Sequence, residues 1–135
     1  MAHFASRSKH VLIGAAVAAV LLLPVAAFAD AHSEIVNAGM HAGFAAGAPD
    51  IAGVHAHLHH TLNCLVGPHG DGYDGKELDP CAQAGHGAIP DTADAAKKTA
   101  LEAAAAKARA GIASGELAAA KQDATDARAM LKKEE

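Results

Sequence analysis

Beyond residue 29 this chain has two aromatic side chains, Phe44 and Tyr73, and alanine is the commonest of its apolar residues. There is no tryptophan anywhere. A core built from such groups must be packed closely. Helices do this more readily than sheets, because small side chains let helix axes approach. The sequence therefore predicts an all-α fold, an antiparallel four-helix bundle. Burial per residue is modest in so small a domain, so a crosslink would add needed stability. The chain holds two cysteines, Cys64 and Cys81. Joined, they staple the loop between the second and third helices.

The N-terminal segment is set aside before the fold is read. Arg7 and Lys9 precede an apolar run from Val11 to Val25, and Ala27-Phe28-Ala29 has the small-x-small form of a cleavage site. This pattern predicts a signal peptide over 1–29, cleaved before Asp30. An uncleaved membrane anchor is the alternative, but the apolar run is near the lower limit for spanning. The expected location is periplasmic or secreted, with no stable membrane span after cleavage. Residues 30–135 then form one helical domain. Cleavage removes Arg7 and Lys9, leaving 9 basic against 15 acidic residues. That net charge argues against nucleic acid and anionic lipid as partners. Export also favours the Cys64–Cys81 disulfide over a reduced, metal-ligating pair. No C-x-x-C occurs, which excludes a thioredoxin-type motif and covalent c-type haem attachment.

Four helices are expected, at about 33–46, 51–66, 92–113 and 116–132, with a loop over 67–90. Ser33 is the expected cap of the first, with Glu34 in its first turn. Gly39, Gly43 and Gly47 recur at four-residue steps along it and form a smooth groove for a neighbouring helix. Asp50 caps the second, whose apolar stripe is Ile51, Val54, Leu58, Leu62 and Leu65. Gly67-Pro68 stops it. The third opens at Asp91-Thr92, with Leu101, Ala105, Ala108 and Ile112 inward, and Ser114-Gly115 turns the chain into the fourth.

The second helix carries His55-x-His57-x-His59-His60. His55 and His59 lie four apart on one flank of the apolar stripe and can chelate one ion from adjacent turns. They are the expected core pair. His57 and His60, opposite, form a second, surface pair. Neutral imidazole suits copper, zinc or nickel. A complete site needs more ligands, from His32, His41, Met40 or Glu34 on the first helix, or from His69 and His86 in the loop. No H-E-x-x-H, G-x-S-x-G or phosphate-binding glycine motif occurs, so the chain is not read as an enzyme. An interaction module without metal, using the glycine-lined helix or the stapled loop, is the alternative. Haem of the b type ranks lower, because few large apolar groups could enclose a porphyrin.

A small, His-rich, all-helical chain with His55 to His60 behind a signal peptide resembles the small periplasmic metal-binding proteins of bacteria. The segments H-L-H-H-T-L-N-C-L-V-G-P and P-C-A-Q-A-G-H-G also resemble a secreted bacterial family. The first resemblance implies a helical domain that binds or buffers a transition-metal ion, copper or zinc. This chain departs from it in having no histidine on its last two helices and in carrying a cysteine-closed loop. Neither resemblance assigns a site.

Overall fold

The structure, a computed structural model, describes residues 29–135. The signal peptide read over 1–29 lies, Ala29 apart, outside the described residues. These fold into five helices with no strand among them: α1 (Ala31–Gly47), α2 (Ile51–Val66), α3 (Ala88–Asp91), α4 (Ala95–Ala113) and α5 (Leu117–Leu131). α1 packs on α2 and α5, and α4 packs on α5 and α2, so the four long helices close a ring. The short α3 touches α1, α2 and α4 at one end. No helix among the described residues is long and apolar enough to cross a membrane.

The caps explain where the helices differ from the sequence reading. α1 begins two residues early, because Asp30 rather than Ser33 is its cap: the Ser33 N–H and hydroxyl both donate to the Asp30 carboxylate. α2 is capped as expected, with the Gly53 N–H donating to Asp50 at 2.8 Å. The expected third helix, 92–113, starts three residues late as α4, and α3 falls at the end of the stretch expected to be loop. Asp91 closes α3, and Asp94 caps α4 by accepting from the Lys97 N–H at 2.7 Å. A side-chain acceptor at the cap satisfies an amide that has no carbonyl one turn back.

The core is as small-grained as the composition requires. Ile35, Ala38, Ala42 and Ala45 of α1 face Val54, Leu58, Leu62 and Leu65 of α2. Leu101, Ala104, Ala105 and Ala108 of α4 and Ala120, Ala124, Ala127 and Leu131 of α5 complete it. The larger groups of α1 point elsewhere: Val36, Met40 and Phe44 are exposed. Two of the three α1 glycines do form a groove, with Gly39 against Leu131 and Gly43 against Arg128 of α5. Gly47 has nothing beside it.

Cys64 and Cys81 form a disulfide. The Asn63 side chain reinforces it, donating to the carbonyls of Asp74 and Leu78 and accepting the Asp74 N–H. The loop is thus bound back onto the last turn of α2. At its far end Gly67 and Gly87, both with positive φ, lie backbone to backbone. A β-carbon at Gly67 would overlap the His86 carbonyl, so this closure needs glycine. Glu34, wholly buried, ties α1 to the same junction by accepting the Gly87 N–H at 2.8 Å.

Candidate metal centre

The contact between α1 and α2 sets the site. Ala38 is small enough for the Thr61 hydroxyl to reach its carbonyl at 3.3 Å, while the same hydroxyl also bonds the His57 carbonyl at 3.0 Å. One turn along α1 from Ala38, His41 then meets the flank of α2 that carries His57 and His60. His57 and His60 are three apart and so project from adjacent turns.

The result is a triangle of imidazoles. Ring centroids are 5.6 Å apart for His41 and His57, 5.1 Å for His41 and His60, and 5.5 Å for His57 and His60. One nitrogen from each ring falls within 4.8 Å of the other two. The Nδ1 atoms of His41 and His57 face each other at 3.4 Å. Phe44, one turn after His41, sets its ring 5.5 Å from His41 and 5.4 Å from His57 and covers one side.

Burial favours the neutral form of His41 and His60. Burial lowers the His41 pKa to about 4, with the neighbouring His60 and His57 adding to the effect. The His60 pKa is lowered as well, mainly by burial and then by His57, against a smaller opposing pull from Glu77. A neutral imidazole is the ligand form, so burial holds His41 in that form well into acid.

The stapled loop supplies the surroundings. Glu77 Oε2 lies 3.7 Å from His60 Nε2, whereas His60 Nδ1 is buried with no hydrogen-bond partner. Glu77 thus faces Nε2, and the buried nitrogen is Nδ1. A carboxylate behind a ligating imidazole fixes its tautomer and raises its basicity. Asp74 stands in similar fashion 3.9 Å from His59 Nδ1.

Of the four helix-2 histidines, the tertiary structure brings His57 and His60 together with His41, which the sequence offered only as one of several supplementary ligands. The expected core pair, His55 and His59, is not brought into a group of three among the described residues. His55 Nε2 instead bonds the Ser114 carbonyl at 2.9 Å, holding α2 to the turn between α4 and α5. His59 faces Asp74. Met40 is exposed on α1, Glu34 is buried at the α3 junction, and His32 is exposed at the start of α1. His69 and His86 do not fold over the His57/His60 face. They line a separate cavity of about 350 Å³ with Val66, Ile89 and Arg109. Cys64, Asp79 and Cys81 also lie close together, but the disulfide leaves no thiolate to ligate.

Comparisons with protein-family models, with curated proteins and with solved structures found no match.

Proposed function

We propose that the protein binds one Zn(II) ion through His41, His57 and His60 and serves as an exported, non-catalytic zinc-binding or buffering protein. The observation that carries this reading is the convergence of one nitrogen from each of the three rings to within 4.8 Å of the other two. Zinc takes three imidazoles and a fourth ligand readily, and copper or nickel held by the same rings is the alternative. Three protein ligands leave a fourth position for water or an incoming ligand. That suits reversible holding better than a permanent structural role, where four protein ligands are the rule. Glu77 behind His60 has the place of an outer-shell carboxylate.

The test is titration of the metal-free protein with Zn(II) against a chromogenic chelator, and with Co(II), whose visible spectrum distinguishes tetrahedral from octahedral coordination. One Zn(II) per chain and a tetrahedral Co(II) spectrum are expected. His41→Ala, His57→Ala and His60→Ala should each lose most of the affinity while keeping wild-type helicity. His55→Ala/His59→Ala should retain it. Wild-type zinc affinity in His41→Ala would overturn the assignment.

A further inference from the structure

Asp30, Ala31 and His32 follow the expected cleavage site directly. Processing there would leave a chain beginning with a free amine and carrying histidine as its third residue. We infer that this processed N-terminus is a second metal site, selective for Cu(II) and Ni(II), distinct from the three-histidine centre. The inference rests on cleavage before Asp30 and is independent of the zinc reading.

The chemistry needs only what these three residues supply. The Asp30 amine, the Ala31 and His32 amide nitrogens and the His32 imidazole can surround one ion in a plane, through fused chelate rings. Both amides must give up their protons to the solvent, and any proton on the amine or imidazole leaves too. Cu(II) and Ni(II) favour a square plane of nitrogens, and Cu(II) heads the affinity order. Zn(II) has no such geometric preference.

The structure makes the three residues available. Asp30 and His32 are exposed. The Ala31 and His32 amides are the first two of α1, and first-turn amides have no carbonyl one turn back within the helix. The Asp30 N–H rests 3.0 Å from the Ala84 carbonyl, beside the stapled loop. Metal capture would draw it away and release Ser33 from the Asp30 cap, unwinding only the first turn. His32 and His41 are nine residues apart, about 14 Å along the helix axis, so the sites do not share a ligand.

The experiment uses the exported chain, purified without a tag. Intact mass establishes its first residue, and one equivalent of Cu(II) is followed by visible absorption and electron paramagnetic resonance. The expected result is a chain starting at Asp30 with a square-planar, four-nitrogen signature. That signature should vanish in His32→Ala and in a chain that retains Ala29. It should persist in His41→Ala/His57→Ala/His60→Ala. A chain starting at another residue, a wild type without the signature, or a signature that survives in His32→Ala or with Ala29 retained would overturn the inference.

Discussion

Two buried titratable residues act on stability in opposite directions. Glu34 has no solvent exposure and its Oε2 has no hydrogen-bond partner. Burial raises its pKa to about 7, and the nearby Asp91 charge adds to this against the Gly87 hydrogen bond. The folded state therefore holds this proton more tightly than the unfolded chain, and stability falls as pH rises from the ordinary value of 4.5 to about 7. His41 has the reverse sign. Its pKa of about 4 makes the metal-free fold lose stability as pH falls from 6.5 to about 4. Between these limits the two slopes oppose each other. We predict that Glu34→Gln stabilises the metal-free protein at pH 8, by on the order of 1–3 kcal/mol, and leaves it near wild type at pH 4.5. His41→Gln should make the Glu34 slope more prominent, with only His60 still opposing it. Urea denaturation at stepped pH measures both, and equal stabilisation by Glu34→Gln at pH 4.5 and 8 would contradict the assignment. At the metal centre, Glu77→Gln should weaken Zn(II) binding about tenfold without altering the fold, as loss of an outer-shell carboxylate does. Unchanged affinity in the chelator competition would remove Glu77 from the site.

At the level of the helices, closeness of approach is the controlling variable. A β-carbon at Gly111 of α4 would come within 2.5 Å of Leu58 Cδ1 and 3.2 Å of the Ala120 carbonyl oxygen. Leu58 is fully buried and the Ala120 carbonyl belongs to α5, so neither gives way easily. Gly111→Ala should cost roughly 1–3 kcal/mol through overpacking, less the gain of about 1 kcal/mol in helix propensity. Gly47, the last residue of α1, has nothing within 4 Å of a β-carbon. Gly47→Ala should stabilise by about 0.4–1 kcal/mol. Thermal melts of the two variants should move in opposite directions, and a stabilised Gly111→Ala would show that α4 and α5 can separate at little cost. The same closeness makes the three-histidine cluster. Ala38 lets Thr61 reach the backbone of α1, and His41 is carried against His57 as a result.

Over the whole molecule the disulfide joins fold and site. It closes the loop between Cys64 and Cys81, a sequence separation of 17, and so restricts the unfolded chain. In the same stroke it holds Asp74 and Glu77 against α2, beside His59 and His60. Cys64→Ser/Cys81→Ser should lower stability by about 3 kcal/mol in the chain-entropy account. It should also reduce Zn(II) affinity to about that of Glu77→Gln, because the carboxylate is no longer held in place. Denaturant titration and chelator competition on one preparation measure the two effects. Full zinc affinity in this variant would mean that Asn63 alone suffices to position the loop.

The sequence by itself determined the helical class, most of the inward faces of α2 and α4, and the cysteine pairing. Each follows from local periodicity, from composition, or from there being only two partners. It marked the second helix as the place for metal chemistry, because four histidines in six residues are visible without a fold. It did not determine which of them act together. Spacing along one helix ranks His55 and His59 first, since only residues on the same element have a separation that sequence can specify. Only the tertiary structure fixed how far α1 slides along α2, through the Ala38–Thr61 contact. That offset takes His41 to His57 and His60, while the turn after α4 takes His55 for its Ser114 carbonyl. A ligand set drawn from two helices depends on their relative register, and register is a property of packed surfaces that no single helix encodes.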